Sequence, residues 1–189
     1  MIMIHGRDAA PVNILQLVDS LSHPEFTYMA PAAANNTWYP YSFMADKEQN
    51  EPGISSGLAV IDAVVTDVVI SGIPKDHIIL LGFSQGACLT AEYAVEHADR
   101  FGGVILYSGS LIGPPGTTWS YGGSFDGTPI FMGCSDVDSH VPLDRIEEGA
   151  AVFERMGAAV TRRIYPGMGH QINDDEIAFT QDLVRELLA

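Results

Sequence analysis

The sequence is poor in cysteine, in lysine and in long apolar runs, and each shortage excludes something. Two cysteines, Cys88 and Cys134, provide neither a disulfide framework nor a sulfur-rich metal cluster. Lysine occurs only at Lys47 and Lys75, and the chain carries 9 basic against 24 acidic residues, a formal charge of −15. Nucleic acids and anionic membranes are held through clustered lysine and arginine, so neither is expected as a partner. The acidic surface suits a saline habitat and equally suits ordinary solubility. No window is expected to reach the roughly 18 to 20 apolar residues that cross a bilayer. The start Met1-Ile2-Met3-Ile4-His5-Gly6 lacks the basic and apolar regions of a signal peptide, which makes the cytoplasm the expected location. No repeat or low-complexity tract is present.

What the chain does have is enough apolar residue, 47% of 189, to bury one core, so a single domain over residues 1–189 is expected. Short β-rich runs alternate with segments of helical period, the mark of a parallel sheet covered by helices. The strands expected are 1–5, 26–29, 77–83, 103–107, 129–132 and 160–165. Ile78-Ile79-Leu80-Leu81 is apolar without alternation, as a central strand buried on both faces requires. Helices are expected near 11–21, 53–70, 86–97, 143–156 and 174–188. In the last of these, Phe179, Leu183 and Leu187 recur every four residues as a core-facing stripe. Two stretches, 35–52 with Trp38, Tyr39, Tyr41 and Phe43, and the glycine-rich 108–127, read as long connections. Connections of that length commonly build a site.

Gly82-Phe83-Ser84-Gln85-Gly86 places a serine between the central strand and a helical run. A G-x-S-x-G pattern is loose in isolation, but at a strand-to-helix turn it holds the hydroxyl exposed, and the flanking glycines remove side chains that would collide. The helix N-terminus behind Ser84 favours developing negative charge. A serine hydroxyl needs a histidine base and a carboxylate to orient that base, both later in the chain for this order of elements. His170, in Gly167-Met168-Gly169-His170 between the last strand and last helix, is the candidate base. His23, His77 and His97 fall at element ends where a solvated histidine is unremarkable, His5 ends the first strand, and His140 shares the acid loop. Asp136 and Asp138 both follow the fifth strand and both remain candidates for the acid. With His140 they also suggest a metal site, weakly, because no second ligand cluster exists; no metal and no cofactor is expected. The N–H groups of Gln85 and of Arg7, after His5-Gly6, are candidates for an oxyanion hole.

Taken together, His5-Gly6-Arg7, Ala30-Pro31, Asn36-Thr37-Trp38-Tyr39-Pro40, Gly82 to Ala87, Asp138-Ser139-His140-Val141-Pro142 and Gly167-Met168-Gly169-His170 resemble the phospholipase/carboxylesterase family of α/β hydrolases. That group includes acyl-protein thioesterases and short-chain carboxylesterases. The resemblance covers nearly the whole chain. It implies an α/β-hydrolase fold without a lid domain, and it favours Asp138, three residues before Val141-Pro142, as the acid. Family members usually have strands before the His-Gly strand. This chain starts inside that strand, so a mostly parallel sheet of about six strands is expected, with a homodimer left open. For function the resemblance implies a serine carboxylesterase acting on small esters, with Trp38, Leu111 and Ile112 at the substrate; Trp38 as a packed core aromatic is the competing account. A thioesterase, a lactone or amide hydrolase, and a catalytically silent binding protein are the alternatives.

Overall fold

A computed structural model describes residues 1–189. The chain runs β1 (Ile2–Ile4), α1 (Pro11–Leu15), α2 (Val18–Leu21), α3 (Lys47–Asn50), α4 (Gly53–Ile70), β2 (Ile79–Phe83), α5 (Gln85–Glu96), β3 (Gly103–Tyr107), β4 (Pro129–Ser135), α6 (Leu143–Arg155), β5 (Ala159–Tyr165) and α7 (Asp174–Leu187). The five strands form one sheet in the order β1-β2-β3-β4-β5, parallel throughout. In register, Met3 lies beside Leu81, Leu81 beside Ile105 and Ile105 beside Phe131.

Side chains alternate across a strand, so the apolar run of β2 feeds two cores. Leu80, with Val104, Leu106, Ile130 and Met132, packs beneath α4, α5 and α6. Ile79 and Leu81, with Ile105, Tyr107 and Phe131, pack against Ile14, Leu21, Leu183 and Val184 of α1, α2 and α7. A strand buried on both faces has no solvent side, which is why its sequence shows no alternation.

Three expectations are corrected. The sheet has five strands rather than six: residues 26–29 reduce to a single bridge between Met29 and Ile2, with the Met3 N–H bonded to the Met29 carbonyl at 2.8 Å. Only Met29 lies against β1, while Phe26 and Tyr28 are half-buried against the second core. The helix expected over 11–21 divides at Gln16-Leu17 into two short turns. Finally, one window does reach the length and apolarity of a bilayer-crossing helix, namely α4. Ile54, Leu58, Ile61 and Val65 of that helix face the first core, while Asp62 and Asp67 lie on its exposed side.

Every strand runs the same way, so the loops after β1, β2, β4 and β5 emerge at one end of the sheet. Arg7, Ser84, Asp138 and His170 sit on those four loops. Parallel sheets place their binding crevices at this end.

Candidate active site

Ser84 occupies the turn between β2 and α5 with φ 55° and ψ −122°, a conformation that costs a non-glycine residue about 1–3 kcal/mol. The turn persists because its surroundings leave no alternative. The Ser84 N–H continues the sheet by donating to the Tyr107 carbonyl at 2.9 Å, and its own carbonyl accepts the Cys88 N–H at 3.0 Å. A Cβ on Gly86 would lie 2.2 Å from the Ile4 carbonyl oxygen, and one on Gly82 would lie 2.5 Å from the Gly86 oxygen. Only glycine lets α5 start this close to β1 and β2.

His170 stands after β5, three strands away from β2, a span of roughly 14 Å at ~4.8 Å per strand. The loop carrying it is drawn inward by the end of β4: Asp136 Oδ1 accepts the Gly167 N–H at 2.8 Å and Ser135 Oγ accepts the Gly169 N–H at 2.9 Å. His170 Nε2 then lies 2.8 Å from Ser84 Oγ, and Nδ1 lies 2.7 Å from Asp138 Oδ2. Phe83 packs against one side of the imidazole, ring centroids 5.1 Å apart, and His140 approaches at 4.6 Å.

The Asp138 carboxylate is completely buried. Its other oxygen accepts the N–H groups of His140 at 2.8 Å and Val141 at 3.0 Å. Burial alone pushes this carboxyl up, but the hydrogen bonds from His170, His140 and Val141 outweigh it and hold the group below its ordinary value. An anion here can fix the imidazole with Nδ1 protonated, which leaves Nε2 free to take the Ser84 proton. Of the two aspartates open in sequence, Asp138 therefore faces His170, and Asp136 ties down the loop backbone.

Arg7 and Gln85 both border a cleft of about 600 Å3 that Ser84 and His170 line. The Arg7 N–H has no acceptor within the protein, and the Gln85 N–H lies in the first turn of α5, where no intrahelical partner exists. Their side chains do separate work. The Arg7 guanidinium donates to the carbonyls of Pro40 at 2.9 Å and Tyr41 at 2.6 Å. The Gln85 amide accepts the Trp38 N–H at 2.9 Å and donates to the Tyr39 carbonyl at 2.7 Å. The connection over residues 38–43 is thereby clamped from both sides.

The three expected substrate contacts are not in the cleft. Trp38 is 5% exposed; its indole N–H donates to the His5 carbonyl at 2.8 Å and its ring packs on His5 at 5.0 Å, so it supports the elbow from beneath. Leu111 and Ile112 are fully buried, held by the Arg145 guanidinium on the carbonyls of Leu111 and Gly113 and by Glu92 on the Ile112 N–H. The cleft wall is instead Tyr39, Phe43, Cys88 and Val141, with Asp8 and Tyr41 nearer the mouth. Cys88 was legible in principle, since it lies one helical turn after Ser84 and on the same face. Tyr39 and Phe43 were not, because nothing local orients a loop aromatic.

Asp136, Asp138 and His140 are not gathered into a ligand set: both Asp138 oxygens serve His170 and the N–H groups of His140 and Val141, and Asp136 Oδ1 accepts the Gly167 N–H. A second cavity of about 610 Å3 lies beside Met1, Phe26, Val68 and Leu187. It too contains a serine and a histidine, but the Ser71 hydroxyl donates to the Val68 carbonyl at 2.6 Å and His77 pairs with Asp76 at 3.0 Å. Volume does not distinguish the two cavities; the hydrogen-bonded series of Ser84, His170 and Asp138 does.

Residues 6–188 match the family model described as phospholipase/carboxylesterase. The chain belongs to that family. A crystal structure of a phospholipase/carboxylesterase from Dyadobacter fermentans is 42% identical, covering 97% of this chain and 88% of its own, with a TM-score of 0.93. An acyl-protein thioesterase 1 from Eremothecium gossypii is 28% identical over 87% of this chain and 77% of its own length. A probable carboxylesterase from Oryza sativa subsp. japonica is 24% identical over the full chain and 77% of its own length. The protein is accordingly a hydrolase of α/β-hydrolase fold, with the sheet reduced to five parallel strands.

Proposed function

We propose that this phospholipase/carboxylesterase family member is a serine carboxylesterase for short- to medium-chain carboxylic esters, working through an acyl-enzyme. The observation that carries the proposal is the unbroken series Ser84 Oγ to His170 Nε2 at 2.8 Å and His170 Nδ1 to Asp138 Oδ2 at 2.7 Å, opening on a cleft. Ser84 Oγ forms a bond to the ester carbonyl carbon while its proton passes to His170 Nε2. The carbonyl oxygen takes the electron pair and is held by the N–H groups of Arg7 and Gln85. When the carbonyl re-forms, the ester C–O bond breaks and His170 returns the proton to the leaving oxygen, releasing the alcohol. Water, deprotonated by His170, repeats the sequence on the acyl-serine and frees the acid. Each step uses donors that need no reorganisation, the main source of rate in such sites.

Ser84→Ala is expected to abolish turnover of p-nitrophenyl acetate and butyrate while circular dichroism stays native. Fluorophosphonate labelling should mark the wild type and not the variant. Retained turnover in the variant sinks the assignment, and a wild type that neither labels nor turns over is the silent binding protein. The name of the Eremothecium relative favours a thioester as second substrate, and a matched oxyester and thioester pair measured side by side decides between them.

A further inference from the structure

The wall opposite His170 differs from the rest of the cleft. Because His170 must deliver a proton to the leaving oxygen, the alcohol half of the ester faces His170 and His140, and the acyl half points to the other side. The lining contributed by α5 and by the 38–43 connection includes Tyr39, Phe43 and Cys88, which are only 2%, 6% and 1% exposed, whereas Tyr41 is 57% exposed. Cys88 lies four residues after Ser84 on α5, about 6 Å along the axis at ~1.5 Å per residue. Helical side chains lean toward the helix N-terminus, so its sulfur projects back toward Ser84. It adjoins the Tyr39 hydroxyl, and burial pushes its thiol up to about 12, leaving it an uncharged, apolar surface.

Behind this wall the protein is shut. The Phe43 carbonyl accepts the Gly113 N–H at 2.8 Å, which ties the Leu111–Gly113 segment to the connection that carries Phe43, and Phe43, Leu111 and Ile112 are buried in the same core. The Arg145 guanidinium lies 5.9 Å from the Phe43 ring and 4.7 Å from that of Trp119 while holding Leu111 and Gly113. One turn beyond Cys88, fully buried Glu92 is paired with Lys47 and accepts from the Tyr121 hydroxyl at 2.8 Å. A hydrocarbon chain extending past Cys88 would have to displace these charged groups from their partners, which costs far more than burying a methylene returns.

We propose that Cys88, Tyr39 and Phe43 form the closed end of the acyl site and limit efficient substrates to acyl groups of about four carbons, whose four bonds from Ser84 Oγ reach roughly 5 Å when extended at ~1.25 Å of advance per bond, within the ~6 Å of helix axis between Ser84 and Cys88. Leu111 and Ile112 then act on specificity from behind, as the backing of Phe43, without touching substrate. This rests on the esterase reading above and narrows it.

The test is the kcat/KM profile of p-nitrophenyl acetate, butyrate, hexanoate, octanoate and decanoate, each below its aggregation concentration. Three proteins are compared: wild type, Phe43→Ala and Cys88→Met. For wild type, kcat/KM should rise by roughly 4-fold per carbon up to butyrate, the return on burying a methylene, and then fall at least ~10-fold by octanoate. Phe43→Ala should raise the octanoate-to-acetate ratio by ~5-fold or more, and Cys88→Met should lower the butyrate-to-acetate ratio by a similar factor. Ratios within one protein are indifferent to the fraction of a variant that folds. A wild-type profile that is flat or still rising at octanoate overturns the closed end, as do ratios unmoved by both variants, and either result leaves the esterase standing. Absence of turnover on every ester, acetate included, removes the esterase and the acyl site with it.

Discussion

Glu176 offers a pH test of how this core is built. The residue is fully buried at the start of α7, and in the capping box with Asn173 its Oε2 accepts the Asn173 N–H at 2.9 Å. Its Oε1 has no partner and sits against β4, where a Cβ on Gly133 would be 2.0 Å away. Burial pushes the carboxyl from 4.5 up to about 7, against the lowering effect of the Asn173 N–H, with the neighbouring Asp175 charge adding to the rise. Tyr107 approaches through its hydroxyl, which donates to the Glu176 carbonyl at 3.2 Å, and Thr180 bonds the same oxygen at 3.1 Å. Below pH 4.5 the group is protonated folded or unfolded and costs nothing. Between 4.5 and about 7 only the folded state keeps the proton, so stability falls by about 1.4 kcal/mol per pH unit, and above 7 the loss is complete at roughly 3 kcal/mol. Glu176→Gln keeps the cap acceptor and cannot ionise. Its amide nitrogen, placed where Oε1 finds no partner, adds a penalty that does not vary with pH. The measurement is therefore the difference in urea unfolding free energy between Glu176→Gln and wild type from pH 5 to 8, in which every other titrating group cancels. The variant should gain roughly 2–3 kcal/mol on wild type across that range. A difference that is constant with pH, or that shrinks as pH rises, would falsify the argument.

Two further outcomes follow from the site. Asp138→Asn should lower kcat by about four orders of magnitude with little change in KM, because an amide cannot both fix Nδ1–H and stabilise the imidazolium. Asp136→Asn keeps an acceptor for the Gly167 N–H and should stay within about 3-fold of wild type. Steady-state kinetics on one ester compares them, and Asp136→Asn as the crippled variant would reverse the assignment. Gly86→Ala should leave the protein insoluble or destabilised by more than about 3 kcal/mol in thermal unfolding, since its Cβ meets backbone oxygens at 2.2 and 2.5 Å that no rotamer can move. A native melting temperature in that variant would mean that α5 can withdraw from β1.

Much of this protein was decided locally. The apolar run at Ile78–Leu81 defines a doubly buried strand, the four-residue stripe of Phe179, Leu183 and Leu187 defines α7, and glycines flanking Ser84 mark the elbow. The strand and the helix are legible from neighbours in sequence, through pleat and helical period, and the elbow from its glycine spacing, although what makes Gly86 obligatory is the approach of β1. The order of serine, aspartate and histidine after β2, β4 and β5 was equally visible, and in a parallel sheet loops that follow strands lie at one end. That residues 26–29 make only a single bridge was not visible, because whether a short β-rich run joins a sheet depends on what lies beside it. Nor was the true cleft wall. Trp38 and Tyr39 are adjacent aromatics in one loop, yet one lies under the elbow and the other lines the cleft. Their fates were settled by distant clamps: Gln85 on the loop backbone, Arg7 on Pro40 and Tyr41, and Arg145 and Glu92 on the segment behind. Ser84 was the serine to name from sequence alone, because the glycine spacing that marks its turn is contained in five consecutive residues. That Asp138 and not Asp136 faces His170, and how far an acyl chain can reach past Ser84, required the tertiary structure, since each is set by hydrogen bonds between residues that share no sequence period.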